Sequence, residues 1–521
     1  MLDRVSIASY LATSIAAVLA TDAAYAVGPS TAPDLVVYAG GGSAEAQPVE
    51  AAFCRNFNNV DLYVDNGALV NSFSKSYLVL YGTSTGANNG VAAGKNVLFI
   101  YKYNGGSYAN GAIPEASGST AALNYPTQAS ILNTTTTTLI TSSASPTATA
   151  GTTCTAAQKG LPTYQYTPTL GNQQRPLFGI TDQEVAAYAG DNNPSYPAAL
   201  VTVGGSALLY DVVFGVAVTN TLYTGTATYN KKTNFSRAEV AAILAGQITD
   251  WHNIYADNGS PVAPAGSGII LLDRNVGSGT KAAGSSYFLG YSFPLGAYSI
   301  EPTSKTNSGG AGNGTGNGSP TNAPFNSGYS PGGLVNSQTY QDIQETNASA
   351  LASDLVTADN DGLLAIAIQS ADNPPALAQL NGVATPGHYE FTKINNTAVD
   401  SGGAGDNLNG AVATSYVNAI DGSYDFFYQT NFNFRSLTDI TGSPFATSLL
   451  TVLETSSLAG VNSGLAFPLA ANGIILDADR NATVAKGVTV VSRGGNSASP
   501  VKTVLPPTQA VGTIAVGSDP L

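Results

Sequence analysis

Arg274-Asn275-Val276-Gly277-Ser278-Gly279-Thr280 brings three kinds of oxyanion donor into one short stretch. The Arg274 guanidinium is a planar fork that can meet two oxygens of one anion. Ser278 and Thr280 add hydroxyls, and Gly279 lets the backbone approach a ligand closely. The chemistry such a set supports is recognition of a carboxylate, sulfate or phosphate. Taken alone, the stretch is equally compatible with a surface turn.

The elements around it decide how these groups would be aimed. Lys281 to Leu289 reads as a helix, which places Ser-Gly-Thr at its N-terminus. Free N–H groups and the helix dipole favour negative charge there. Far upstream, Asp34 to Ala39 is a short apolar strand broken by Gly40-Gly41-Gly42-Ser43. Ala44 to Phe57 then reads as a helix, with Val49, Ala52 and Phe53 at helical spacing. A strand, a glycine turn and a helix is how open α/β sheets present ligand loops. Tyr77–Tyr81 and Asn96–Tyr101 are predicted strands, and the second runs into Asn104-Gly105-Gly106-Ser107.

The clearest predicted helix is Ser236 to Ala245. Ser236 and Glu239 form a capping box, Phe235 and Val240 a hydrophobic staple, and Gly246 suits a left-handed stop. From about 112 to 175 the composition shifts to Thr, Ser, Ala and Pro, including an unbroken threonine run from Thr134 to Thr138. This stretch is expected to be an insertion of irregular or edge-strand structure rather than a separate core. A Gly/Asn/Ser-rich segment at 303–336 reads as an exposed loop.

Composition bounds the rest. A chain of 521 residues favours two or three domains. The net charge of −14 argues against nucleic acid as a partner, because phosphate backbones demand a basic face. An acidic protein still binds an anion where its positive groups are local and buried. Arg4, an apolar run from Val5 to Ala20 and Ala24-Tyr25-Ala26 predict a signal peptide over 1–26, with an uncleaved anchor as the alternative. A periplasmic, secreted or cell-surface location follows. Cys54 and Cys154 are the only cysteines, and export favours a disulfide between them over two buried thiols. The two histidines, His252 and His388, support no metal site, and nothing calls for a cofactor.

Several stations along the chain resemble the phosphate-binding periplasmic proteins of ABC transporters, within the type 2 periplasmic binding proteins. They are Tyr38 to Ala44, Tyr103 to Ser107, Phe178 to Asp182, Phe235 to Trp251 and Arg274 to Thr280. Weaker ones follow at Gly362–Ala367 and Gly422–Asp425. The resemblance implies an α/β fold of two lobes with a ligand cleft between them. Its expected division is 27–219 in the first lobe, 220–422 in the second, and 423–521 returning to the first. Hinge strands are expected near Phe214–Val218 and Tyr424–Phe432.

Carried over residue by residue, the resemblance implies a phosphate site. Ser43 and Ser107 would give hydroxyls, the Ala44 backbone an N–H, and Arg274 a clamp on two oxygens. Ser278, Gly279 and Thr280 would donate at the helix N-terminus. Asp182 would be the one acceptor, held ionised by Arg274 beside it. Phosphate near neutral pH carries a proton to donate to that carboxylate, whereas sulfate carries none. A site built around one such bond rejects the analogue lacking it by roughly 10⁴–10⁵.

The alternatives are bland. Asp182 would cap a helix over Gln183–Ala187, Ser43 and Ser107 would be turn residues, and Arg274 a surface ion pair. The chain departs from the pattern at Thr181, where serine is expected, and over its last 75 residues or so. The functional expectation is an exported, non-enzymatic binding protein for inorganic phosphate or a related oxyanion, with an ABC permease as the implied partner. A structural or adhesive surface protein is the competing class. A secreted hydrolase would need a metal cluster or activated nucleophile that the sequence does not display.

Overall fold

The structure, a computed structural model, describes residues 30–65, 76–86, 90–141, 161–190, 201–274, 277–289, 340–345, 348–371, 388–399, 418–419, 424–441, 443–454, 474–475, 490–492 and 502–504. The predicted signal segment, Cys154 and the polar loop at 303–336 lie outside these residues.

One continuous sheet organises them, with two short strands, Tyr389–Phe391 and Ile474–Ile475, pairing onto the strand Gly205–Thr219 off its main path. The strands of the main path are β1 (Leu35–Gly41), β2 (Phe57–Asp65), β3 (Tyr77–Ser84), β4 (Asn96–Lys102), β5 (Thr138–Thr141), β6 (Thr163–Tyr166) and β7 (Gly179–Thr181). They continue as β8 (Gly205–Thr219), β9 (Ile270–Arg274), β10 (Gln341–Glu345), β11 (Ala365–Ser370) and β12 (Phe427–Phe434). Their spatial order is β10-β9-β11-β8-β12-β7-β1-β4-β3-β2-β6-β5.

β8 is the spine. Its first part, Gly205 to Val213, pairs antiparallel with β12, and its second part, Phe214 to Val218, pairs antiparallel with β11. The change of partner falls at Phe214. Its N–H donates to the Phe426 carbonyl at 3.0 Å, and its own carbonyl accepts from the Tyr424 hydroxyl at 2.6 Å. Two lobes result. One is built on β1–β7, the start of β8 and β12; the other on the end of β8 with β9–β11.

Helices cover both. They are α1 (Ala46–Asn56), α2 (Ser107–Gly111), α3 (Arg237–Leu244), α4 (Gly279–Leu289), α5 (Ala348–Asn360) and α6 (Pro444–Glu454). α3 carries the capping box that its sequence predicts. Glu239 N–H donates to Ser236 Oγ at 3.1 Å, and Ser236 N–H to Glu239 Oε2 at 2.7 Å.

The apolar runs of β3 and β4 are buried on both faces, as expected of covered central strands. Leu78, Leu80, Val97 and Phe99 pack into the main core with Val49, Ala52 and Phe53 of α1 and Phe445 and Leu449 of α6. Tyr77, Val79, Tyr81, Leu98 and Ile100 point the other way. The insertion covers them, supplying Tyr125, Ile131 and Tyr166. Two phenols of this second core donate to backbone carbonyls, whereas the buried hydroxyls of Tyr63 and Tyr166 have no hydrogen-bond partner among the described residues. Tyr125 donates to the Ala39 carbonyl at 2.9 Å and Tyr77 to the Asn124 carbonyl at 3.0 Å.

The insertion extends the sheet by β6 and then by β5, which is its edge, and adds a small pairing of Leu123–Pro126 with Leu170–Gln174. β2 is a strand that the helical reading through Phe57 overran. The chain turns extended at Phe57 (φ −128°, ψ 144°), and its ladder slips between Asn58 and Asp61, where Asn59 takes φ 51°. Near the C-terminus, Ile474–Ile475 pairs with Asp211 and Val212 of β8. Cys54 is fully buried in α1.

Candidate functional site

Four chain segments meet at the end of the first lobe that faces the second. The first follows β1. Gly42 donates its N–H to the Ile180 carbonyl at 3.2 Å, and its carbonyl accepts from the Tyr101 hydroxyl at 3.0 Å. Half-buried Ser43, buried Ala44 and buried Glu45 lead from there into α1. The second segment follows β4. Gly106, at φ 93°, brings the chain round to Ser107, which opens α2. The third is Asp182, just past β7. The fourth leaves β9 at Arg274 and resumes at Gly277 and Ser278, with α4 starting at Gly279.

Asp182 is where they converge. A Cβ on Gly42 would overlap Asp182 Oδ1 and Glu45 Oε2 and touch Ser107 Cβ at 3.0 Å. A Cβ on Gly279 would overlap the Asp182 carboxyl from the other lobe. Only a bare backbone fits at either place. The Asp182 carboxyl lies within hydrogen-bonding reach of the Ser107 and Glu45 side chains, and the Arg274 charge acts on it. Asp182 Oδ1 is buried with no hydrogen-bond partner among the described residues. A buried polar atom left so carries a desolvation cost that an incoming donor would relieve.

Across the lobe boundary, the Tyr108 N–H donates to the Gly277 carbonyl at 3.0 Å, and Gln183 Nε2 to the Gly279 carbonyl at 3.3 Å. Tyr108 and Tyr188 sit with ring centroids 5.2 Å apart and pack with Ala282 of α4. The Tyr188 hydroxyl is 2.7 Å from Ser107 Oγ.

The structure thus brings Ser107, Asp182, Arg274 and Gly279 together. Thr280 joins them through Arg274, whose Nη1 is 3.5 Å from Thr280 Oγ1 and whose Nε donates to the Glu345 carbonyl at 3.3 Å. Ser278 is buried beside them, and its Oγ accepts from the Lys281 N–H at 3.5 Å in the first turn of α4. Ser43 and Ala44 border the group at the start of α1. No helix runs over Gln183–Ala187 for Asp182 to cap. A 3₁₀ turn begins at Val185 instead, and the Asp182 carboxyl points at its neighbours on the other segments.

Burial pushes the Asp182 acid up from the ordinary carboxylate range, while Glu45, Arg274 and Ser107 act to lower it. Desolvation is the largest effect because almost no water is left to solvate the ionised carboxylate. Lys281 of α4 does not relieve it, since its ammonium is paired with buried Asp273.

Sequence reasoning missed Glu45, Tyr188 and the Glu345 carbonyl. Glu45 stands at the N-cap of α1, next to the helix dipole's positive end where an acid is ordinary, so its type alone carries no signal. Tyr188 is brought in only by the fold. Both histidines have partners elsewhere: His388 Nδ1 lies 3.0 Å from Asp359 Oδ2, and His252 Nδ1 3.1 Å from the Ala263 carbonyl.

The family model described as PBP superfamily domain matches residues 179–452. No curated protein matches the chain. Among solved structures, a phosphate binding protein from Stenotrophomonas maltophilia is 14% identical with a TM-score of 0.35, covering 86% of this chain and 92% of that one. A structure titled as a phosphate ABC transporter substrate-binding protein with bound phosphate, from Clostridium perfringens, is 12% identical with a TM-score of 0.27. It covers 52% of this chain and 71% of that one.

Proposed function

Because the chain belongs to the PBP superfamily, a class of binding proteins with a two-lobed α/β fold, we propose that it captures inorganic phosphate, or a closely similar oxyanion, between its lobes. The observation that carries this reading is the convergence on Asp182. Gly42 and Ser107 of the first lobe and Arg274 and Gly279 of the second close on one buried carboxyl. Arg274 supplies the positive charge, and the α4 N-terminus adds backbone donors aimed at an anion. Asp182 supplies the acceptor that a protonated oxyanion needs. A structural or adhesive surface role gives no reason to bury these groups together.

The rest of the reading follows the same line. The division this reading assigns is 27–219 and 423–521 to the first lobe and 220–422 to the second, with the crossings at the Phe214 end of β8 and just ahead of β12. The lobes close over the anion, and Tyr108 meeting Gly277 is part of the closed state. The protein is exported by the signal segment at 1–26 and serves an ABC permease. Among the described residues no helix is long and apolar enough to cross a membrane. Cys54 pairs with Cys154, pinning the insertion to α1. A thiol count on the denatured, unreduced protein tests that pairing: one or more free thiols refutes it.

Isothermal titration of the mature chain with phosphate and with sulfate tests the central claim. Saturable binding of phosphate with sulfate excluded is the expected outcome. Equal affinity for both, or no heat with either, overturns it.

A further inference from the structure

Glu45 is the group in the site that the oxyanion reading does not use. It is completely buried at the start of α1, and its Oε2 shares with Asp182 Oδ1 the space that a Cβ on Gly42 would fill. The two side chains are within hydrogen-bonding reach of each other. Two carboxylates have no donor between them, so such a contact holds only when one carries a proton. Like charges this close in a dry site do not both ionise, and one proton is then shared by the pair.

We propose that Glu45 and Asp182 share one proton in the ligand-free protein at neutral pH, and that this proton makes anion binding pH-dependent, with Glu45 the residue responsible. The second half rests on the oxyanion reading above.

The surroundings fix the direction. Among the groups that act on the pair are Arg274 from β9, Ser107 from α2 and Tyr101 from β4. Arg274 stays charged throughout the accessible range. The Tyr101 phenol is pushed well above its ordinary value by burial and then by Glu45, so it does not ionise near neutrality. Ser107 does not titrate, and Lys281 on the neighbouring helix is neutralised by Asp273. None of these three groups changes its charge near neutrality, whereas the carboxyl pair can. A bound dianion adds negative charge beside it and so holds the proton to higher pH than the free protein does. Above the pH at which the free pair loses its proton, binding must take one up. Affinity then falls by up to about tenfold per pH unit.

This arrangement also sharpens selection. With Glu45 neutral, Asp182 keeps one lone pair for a proton on the ligand, and the site carries one negative charge fewer against the anion. A neutral amide at position 45 should reproduce the first condition without titrating.

Two measurements test this. The first needs no ligand: infrared difference spectra of the whole mature protein at neutral pH, wild type against Glu45→Gln and against Asp182→Asn. One protonated-carboxyl carbonyl component should be present in wild type and lost from either variant, while that of buried Glu115 stays in all three, so one folded variant suffices. Identical bands in wild type and a folded variant overturn the shared proton. The second is the phosphate affinity between pH 8 and 10, where inorganic phosphate itself stays a dianion. Wild type should weaken by up to about tenfold per unit, and Glu45→Gln should stay flat within about twofold. Parallel profiles overturn the role of Glu45. Absence of phosphate binding at every pH overturns the oxyanion half alone, because the infrared band is read without it.

Discussion

The Tyr108 amide and the Gly277 carbonyl meet at 3.0 Å across the boundary between the lobes. A Cβ on Gly106, just ahead of Tyr108, would overlap this same carbonyl, so the loop after β4 sits flush against the loop before α4. The site around Asp182 is shut by main chain on main chain, which ties its geometry to closure.

Arg274→Ala should leave the fold intact and weaken phosphate binding by at least about 30-fold, from the roughly 2 kcal/mol or more lost when one partner of a buried charge pair is truncated. Titration calorimetry with circular dichroism as the fold check measures both. An unchanged affinity would move the cation elsewhere.

Asp182→Asn exchanges an acceptor for a group that also donates. Sulfate should gain affinity relative to phosphate by about tenfold or more, while phosphate itself changes less. Competition between the two anions reads this ratio directly. A variant that still excludes sulfate would remove Asp182 as the selectivity residue.

Gly279→Ala drives a methyl into the Asp182 carboxyl. Overpacking of this kind costs about 1–3 kcal/mol. Because the clash lies between lobes, much of it should appear as a weaker complex, by roughly tenfold or more, rather than as a lower melting temperature. Paired calorimetric titration and thermal melts separate the two. A large drop in melting temperature with normal affinity would contradict this placement.

Stability should depend on pH through Glu115. This carboxyl is fully buried between the insertion and Arg435, and burial raises it to about 8, with Arg435 only partly opposing. Its folded form therefore holds a proton that the unfolded chain has already released. The stabilisation is complete below the ordinary carboxylate range and is lost as pH rises toward about 8. The slope should reach up to about 1.4 kcal/mol per pH unit between pH 5 and 8. Urea melts at several pH values should show it, and Glu115→Gln should flatten it. Stability that rises over this range in wild type alone would reverse the assignment.

Much of this arrangement is legible before folding. The glycine-broken end of β1, the capping box of α3 and the donor run from Arg274 are local patterns whose chemistry survives in place. What the sequence hid is relational. Glu45 looks like any acid opening a helix until β7 brings Asp182 to it. Arg274 beside Asp182 reads as a plain ion pair, and only the fold shows how strongly burial works against the carboxylate's charge. β2 was overrun because its start continues an apolar helical spacing, and only pairing with β3 distinguishes the two. The second core was invisible because Tyr125 and Tyr166 sit in a stretch whose composition reads as irregular.

A single strand hydrogen-bonded into both lobes has a thermodynamic corollary. Melting either half strips β8 of one flank, leaving the other half with an unpaired edge through its middle. Such proteins lose their lobes in one calorimetric transition, whose measured enthalpy equals the van 't Hoff value for the whole chain, rather than in two separable steps. Ligand bound to one lobe would then protect the amides of both from hydrogen exchange.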